Sequence, residues 1–313
     1  PAFPMSKACL LEFKYAGRSM ESKLKDVRKE MNKRNVSRHI LTTLDDIAWL
    51  LNIRGKDAES NPVLLSYVVV EMDRVILYVK EEKITDIKSY LIEKNVIVKD
   101  YEDIYDDVKT FNDVWIDYER INSALVLNMN TKLHKAVTCL EMMKAIKNEI
   151  EIKNSLECQI RDCVALTRFM KWLKENVYTE TITELRAAKY LNDLRREIDD
   201  YIEVGYGQIA DYNENAAMMH YQATEANYSI LKKDGIFLID SGGQYLSGTT
   251  DITRTIGFGN VDKQWKIDFT TVLISHAQLA QLKFLEGCSG MTIDIIARQP
   301  IWDREMDSQC GTG

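Results

Sequence analysis

Two aspartates flank a glycine-rich stretch late in the chain, and this stretch constrains the fold more than any other segment. An apolar run from Gly235 leads directly into Asp240, and the residues from Thr249 to Gly257 alternate like a second strand. If the two strands pair antiparallel, we expect Asp240 and Asp251 to lie nearly opposite one another, with Cβ atoms about 4.5–5.5 Å apart. Carboxylates that close repel and raise each other's pKa unless a cation lies between them.

The paired carboxylates therefore predict a metal site. Carboxylate oxygens are hard ligands that suit manganese, magnesium or a similar divalent ion. Bridging carboxylates hold the two ions of many hydrolases about 3.5–4 Å apart around an activated water. The alternative for a lone Asp-Ser-Gly is an ordinary turn, with Asp251 as a solvated residue. The residues around the two aspartates decide between these interpretations.

Residues 238–255 carry a longer signature, Leu-Ile-Asp-Ser-Gly-Gly-Gln-Tyr-Leu-Ser-Gly-Thr-Thr-Asp-Ile-Thr-Arg-Thr. This segment resembles the first metal-binding segment of Xaa-Pro aminopeptidases, which belong with creatinase, prolidase and methionine aminopeptidase in the group with the pita-bread fold. The resemblance implies that Asp240 and Asp251 are ligands of two divalent metal ions, and manganese is the expected metal.

A second segment lies just upstream and reads Asn-Glu-Asn-Ala-Ala-Met-Met-His-Tyr over residues 213–221. It resembles the family segment whose histidine lines the substrate pocket and helps to stabilise the transition state. The resemblance assigns both roles to His220. A lone histidine is otherwise more often structural, so the assignment depends on the position of His220 upstream of Asp240.

The two halves of the chain differ in their predicted secondary structure. Strands and helices alternate over about 120 residues of the first half, which argues for a compact α/β domain. The segment Leu44–Gly55, followed by Asn61-Pro62-Val63, resembles the non-catalytic domain that precedes the pita-bread domain. We predict an α/β (α+β) fold: a creatinase-like, non-catalytic middle domain over residues 1–137, then the N-terminal part of a pita-bread catalytic domain over 138–313.

The sequence also predicts several individual helices and strands. Apolar spacing predicts a helix between Ser19 and Asn35, and a hairpin is predicted around the turn Met72-Asp73. Residues 123–129 and 218–221 are predicted as strands, and 143–177 as one helix. A further helix from about Thr183 is opened by a Thr-Ile-Thr-Glu stretch of capping-box type.

The pattern breaks at the end of the chain, which reads Asp-Ser-Gln-Cys-Gly-Thr-Gly over residues 307–313. The family has Asp-x-x-His-Gly-Thr-Gly-His here, so Cys310 stands where the family has a substrate-contacting histidine. Only two of the five expected metal ligands are present. We therefore expect a fragment that lacks the N-terminal domain and the second half of the catalytic domain, and that is inactive by itself.

Composition excludes several other classes of protein. The net charge is −7 with scattered basic residues, so no basic nucleic-acid face is predicted. No apolar run approaches the ~20 residues of a membrane helix, and no secretory leader is visible. The four histidines lie too far apart for an HExxH zinc helix, and the six cysteines show no paired spacing. We expect a cytoplasmic protein with free thiols and neither nucleic-acid nor membrane partners.

The preferred hypothesis is a metalloaminopeptidase, a hydrolase that releases the N-terminal residue from peptides with proline in second position. The resemblance implies proline-containing peptides as partners and a homodimer in the full-length protein. Two alternatives stay open: a catalytically dead pita-bread module that binds peptides, and a prolidase-type dipeptidase. The retained Asp240, Asp251 and His220 favour an enzyme, whereas Cys310 favours the binding module.

Overall fold

The computed structural model describes residues 2–308, which form two compact units. The first unit contains the residues up to Leu166 together with Asp193–Gly207 and Gly242–Asp251. The second contains Thr167–Asn192, Gln208–Ser241 and the described residues from Ile252 onward. The predicted division into domains at residue 138 stays a prediction, and Cys310 lies outside the described residues.

The strands, numbered in chain order, are β1 (Cys9–Leu10), β2 (Arg38–Leu41), β3 (Ile53–Arg54), β4 (Tyr67–Glu71), β5 (Val75–Tyr78), β6 (Val96–Lys99), β7 (Val114–Ile116), β8 (Leu133–Lys135), β9 (Tyr201–Val204), β10 (Ile209–Tyr212), β11 (Gly235–Ser241), β12 (Gly243–Tyr245), β13 (Gly248–Thr249) and β14 (Ile252–Phe258). The α-helices are α1 (Phe13–Ala16), α2 (Met20–Arg34), α3 (Leu44–Leu51), α4 (Lys88–Glu93), α5 (Ile104–Asp107), α6 (Ser123–Asn128), α7 (Cys139–Ala145), α8 (Glu149–Asn176), α9 (Glu184–Arg195), α10 (Lys263–Gln281) and α11 (Gly290–Trp302). Short 3-10 helices span Glu81–Ile87, Tyr101–Asp103, Val108–Thr110 and Asn213–Ala217.

The first unit is built on a six-stranded mixed sheet in the order β6-β5-β4-β2-β7-β8. Strand β4 shows how both faces of the sheet are covered, because successive side chains of a strand point to opposite faces. Val68 and Val70 belong to one buried apolar cluster, whereas Tyr67 and Val69 belong to another. A smaller sheet of the same unit has the order β13-β12-β9.

Helix α2 and the β4–β5 hairpin confirm the sequence predictions. The hydroxyl of Ser19 accepts a hydrogen bond from the Ser22 amide at the start of α2. Asn35 ends the helix in the left-handed conformation, with φ 51°, which asparagine tolerates better than most residues. Strands β4 and β5 pair antiparallel.

Three local predictions were wrong. Residues 123–128 form helix α6, because the Asn122 side chain accepts a hydrogen bond from the Leu125 amide and caps a run whose apolar pattern suited either structure. The single helix predicted over 143–177 is two helices, α7 and α8, and Asn148 caps the second by accepting from the amides of Ile150 and Glu151. The strand predicted over 218–221 is a turn.

The second unit contains the antiparallel sheet β10-β11-β14. Its central strand, β11, buries Phe237 and Ile239 on one face. Helices α10 and α11 follow in the chain, and α10 exposes large apolar side chains, including Trp265, Phe269 and Val272. Within residues 2–308, no helix is both long enough and apolar enough to cross a membrane.

Candidate functional site

Asp240 lies near the end of the central strand of the second unit's sheet. The strand alternates between buried and half-buried side chains, and Asp240 is on the half-buried face. It pairs with Ile209 of β10 on one side and with Thr253 of β14 on the other. The two strands pair antiparallel as expected, and Thr253, two residues beyond Asp251, is the residue directly opposite Asp240. A strand paired on both sides is a rigid support for a functional carboxylate.

Asp251 ends the chain reversal that begins after Asp240. Within this reversal, the Gly243 amide donates to the Thr250 hydroxyl over 3.0 Å, and the Thr250 amide donates to the Gly243 carbonyl oxygen, also over 3.0 Å. A Cβ atom on Gly242 would lie only 2.0 Å from the Thr250 carbonyl oxygen, so only glycine fits there. The exposed Asp251 accepts a hydrogen bond of 2.9 Å from the Tyr206 hydroxyl.

His220 lies in an exposed turn that follows the 3-10 helix Asn213–Ala217. Its backbone is in the left-handed region, with φ 58°, which explains why the predicted strand does not form here. Hydrogen bonds from the Met218 amide to the Asn215 carbonyl and from the Tyr221 amide to the Met218 carbonyl hold the turn. We call residues 213–230, which contain this turn, the His220 loop.

Glu184 is a buried carboxylate that the sequence analysis did not identify as functional. A capping box would direct it back to the first residue of its own motif. Instead, Thr183 caps the helix by accepting from the Arg186 amide. The Glu184 side chain accepts hydrogen bonds from the Ser229 amide in the His220 loop and from the Tyr212 amide just before it. In the sequence, the one sign that could have indicated Glu184 was the presence of an acidic residue at the start of α9.

Asp211 is a second buried carboxylate, on strand β10. Among residues 2–308, neither of its oxygens has a hydrogen-bond partner. Burial raises the pKa of Asp211 to about 7, and the nearby charge of Glu184 adds to the effect. Tyr221 also faces this pair, and burial together with the two acids raises its pKa. Asp211 therefore opposes folding when it is ionised.

We expect Asp211→Asn to stabilise the protein at alkaline pH. The folded-state pKa of about 7 exceeds the ordinary value of 3.8, so the folded state holds its proton longer than the unfolded state does. Stability is then lost as pH rises from about 4 to above 7. The neutral amide removes this loss, so the variant gains about 1–3 kcal/mol of unfolding free energy at pH 8 relative to the parent protein.

Denaturant unfolding between pH 4 and pH 8 measures this difference. The matched control is Asp303→Asn, because Asp303 is exposed. The control should change the pH dependence little. An equal gain for Asp211→Asn at pH 4 and pH 8 would show that the ionisation of Asp211 is not the cause.

The donor chemistry of the predicted site fits divalent metal ions only in part. Asp240 and Asp251 supply the carboxylate oxygens that such ions prefer. Within the described part of the chain, however, no group of three or more histidine, cysteine, aspartate or glutamate side chains is arranged to hold a metal ion. The two aspartates therefore suit the ions chemically but do not form a metal centre by themselves.

Two family models together match almost the whole chain. Residues 1–151 match the Creatinase/Prolidase N-terminal domain, and residues 153–313 match metallopeptidase family M24. The chain is 36% identical over 324 residues to Xaa-Pro aminopeptidase 1 of Dictyostelium discoideum, with all of this chain and 51% of that protein covered. It is 34% identical to the probable Xaa-Pro aminopeptidase P of Sordaria macrospora, again over the whole chain and over 54% of that protein. The chain thus spans about half the length of these relatives.

Solved structures give the same picture of the fold. The X-prolyl aminopeptidase of Caenorhabditis elegans, described as a cytosolic enzyme with a di-nuclear active site, superimposes with a TM-score of 0.91 at 27% identity. This match covers 97% of the chain and 52% of that structure. The prolidase of Pyrococcus furiosus superimposes with a TM-score of 0.66 at 19% identity, over 88% of the chain and 78% of that structure, which shows a shared fold. The predicted α/β fold class is confirmed.

Proposed function

We propose a function that rests on one premise: the chain belongs to metallopeptidase family M24. The protein that contains this chain is a metal-dependent Xaa-Pro aminopeptidase, which releases the N-terminal residue from peptides with proline in second position. The observation that carries the proposal is that Asp240 lies on the half-buried face of β11, opposite Thr253 of β14, and that Asp251 directly precedes β14 in the chain. Similarity to Xaa-Pro aminopeptidases over the full chain supports it.

Three residues of this chain have proposed roles in the reaction. Asp240 and Asp251 hold divalent metal ions, which when bound supply Lewis-acid activation of a water and of the scissile carbonyl. His220 is exposed on its turn, where a ring N–H can reach a peptide. We propose that it donates a hydrogen bond to the oxygen on which negative charge develops, because a donor held in position before the reaction lowers the barrier.

The finer details of the proposal follow from the same family. Manganese is the proposed metal, because oxygen ligands suit it. We also propose that the whole protein is a cytoplasmic homodimer and that residues 1–137 and 138–313 belong to different domains. The cytosolic, di-nuclear X-prolyl aminopeptidase of Caenorhabditis elegans supports a cytoplasmic location and two metal ions.

Peptide cleavage by the natural protein tests the proposal. The natural protein is incubated with an Xaa-Pro-Pro tripeptide, with and without manganese, and the released N-terminal amino acid is measured. Manganese-stimulated release of that residue is the expected result. Cleavage of Xaa-Pro dipeptides alone would identify a prolidase-type dipeptidase. Peptide binding without cleavage in the presence of metal would favour the non-catalytic module.

Cys310 provides a separate prediction about turnover. The family resemblance places a substrate-contacting histidine at this position, and a thiol cannot supply the hydrogen-bonding imidazolium that histidine offers near neutral pH. We expect Cys310→His in the natural protein to raise kcat/KM for the tripeptide by about 10²-fold. Cys288→His, at a cysteine elsewhere in the chain, is the control. No gain in a folded Cys310→His variant would contradict the alignment of Cys310 with the family histidine.

A further inference from the structure

The base of the His220 loop converges on a single side chain. Glu184, the first residue of α9, is fully buried. Its Oε1 atom accepts a hydrogen bond of 2.7 Å from the Tyr212 amide, the residue just before the loop. Its Oε2 atom accepts one of 2.7 Å from the Ser229 amide, close to the end of the loop. One carboxylate thus joins the two ends of a segment that contains His220.

Asn215 adds a third connection inside the loop. Its side-chain Nδ2 atom lies 2.9 Å from Oε1 and 3.2 Å from Oε2 of Glu184, and 3.0 Å from the Ser229 hydroxyl oxygen. The Asn215 carbonyl oxygen accepts from the Met218 amide, which begins the turn that carries His220. A continuous series of hydrogen bonds therefore leads from the Glu184 carboxylate to the turn of the histidine.

Backbone contacts close the loop at the same place. The Glu184 amide donates to the Ser229 carbonyl over 3.1 Å, and the Leu231 amide donates to the Ile182 carbonyl over 2.9 Å. The Ile236 amide also donates to the Asn213 side-chain oxygen over 3.0 Å at the start of the loop, and Thr224 pairs with Asn227 within it. His220 itself is exposed, so the position of its ring depends on the base of the loop rather than on burial of the ring.

We infer that Glu184 is a positioning residue for His220. By accepting from both ends of the His220 loop and from Asn215, it fixes the loop in the conformation that presents the imidazole to a peptide. The catalytic part of this inference rests on the proposed function, because it takes His220 as the group that contacts the reacting carbonyl. A misplacement of about 1 Å in a catalytic group can lower the rate about 10²-fold.

The informative variant is Glu184→Gln, which keeps the size of the side chain but replaces one acceptor oxygen with an amide donor. Two N–H donors meet each oxygen of Glu184, so the new amide would face donors and the base of the loop would open. Glu180→Gln is the matched control, because Glu180 lies at the same end of α9 but is exposed and pairs only with Arg186 among the described residues.

Two measurements on the natural protein test the inference. First, amide exchange followed by mass spectrometry should be at least ~10-fold faster over residues 213–230 in Glu184→Gln and unchanged in α10. Second, kcat/KM for an Xaa-Pro-Pro tripeptide should fall about 10²-fold in Glu184→Gln, and less than ~3-fold when the same change is made in a His220→Ala background. A purely structural role would lower the rate by the same factor in both backgrounds.

The outcomes separate this inference from the proposed function. If the metal-loaded parent protein cleaves the peptide but Glu184→Gln behaves like Glu180→Gln in both measurements, the positioning role is overturned and the proposed function stands. Equal losses in the two backgrounds also overturn it. If the metal-loaded parent does not cleave the peptide, the proposed function is wrong, and so is the catalytic role of His220. Faster loop exchange with a loss that depends on His220 supports the inference.

Discussion

Replacing Asp240 with alanine should abolish the metal-stimulated cleavage of an Xaa-Pro-Pro tripeptide by the natural protein. We expect kcat/KM to fall by at least ~10³-fold, because a ligand that holds catalytic metal ions supports several kcal/mol of transition-state stabilisation. The strand that carries Asp240 is paired on both sides, so the backbone should keep its conformation when the carboxylate is lost. Initial rates with saturating manganese measure the effect.

Two controls separate loss of metal from loss of fold. Asp303→Ala removes an exposed carboxylate from the same unit and should leave kcat/KM nearly unchanged. The metal content of purified Asp240→Ala, measured by elemental analysis, should fall below that of the parent while its thermal unfolding stays close to the parent's. Full activity in a folded Asp240→Ala protein would show that Asp240 is not a metal ligand and would contradict the proposed mechanism.

The sequence identified the two aspartates through their spacing and context, but it could not give their register. The prediction placed a second strand from Thr249 onward, after a glycine-rich reversal. In the structure the chain leaves the first strand at Ser241 and forms β12 and β13 before β14 begins at Ile252. Strand β12 pairs with β9 and β13 rather than with β11. Such an excursion depends on tertiary pairing, which a local alternation of apolar residues does not encode.

The same limitation explains the residues that the sequence analysis missed. Glu184 follows a threonine at a helix start, a pattern that predicts a local capping role. Its actual partners lie 28 to 45 residues further along the chain. Asp211 sits in a short apolar strand, and its burial without a hydrogen-bond partner among residues 2–308 could not be predicted from the neighbouring residues. Local patterns predicted elements such as α2 and the β4–β5 hairpin well because those depend on capping and periodicity.

The largest stability effect that we expect comes from a buried ion pair in the first unit. Arg195, the last residue of α9, donates from Nε to Oδ1 of Asp162 over 2.6 Å and from Nη2 to Oδ2 over 3.0 Å. Both side chains are 0% exposed. The Tyr245 hydroxyl donates to Asp162 Oδ1 over 2.6 Å, and burial and this carboxylate raise the pKa of Tyr245.

Arg195→Met should lower the free energy of unfolding by about 3–5 kcal/mol, because it leaves the Asp162 carboxylate buried without its charged partner. Arg196→Met is the matched control: Arg196 is the next residue, its side chain is exposed and it pairs with Asp193 at the surface. We expect the control to change stability by no more than about 0.5 kcal/mol. Denaturant unfolding at pH 7 measures both variants.

The double variant Arg195→Met/Asp162→Leu shows whether the unpaired charge is the cause. Replacing a buried ion pair with apolar side chains of similar volume is often nearly neutral, so the double variant should recover most of the stability that Arg195→Met loses. The Tyr245 hydroxyl would then lack its acceptor, which leaves a remaining loss of about 1–3 kcal/mol. If the double variant is as unstable as Arg195→Met, the loss of stability comes from lost packing of the arginine side chain, and the unpaired charge of Asp162 is not its cause. Arg195 also donates to the Gly242 carbonyl, at the start of the reversal that ends at Asp251. We therefore expect Arg195→Met and the double variant to bind metal less tightly than the parent protein even where they remain folded.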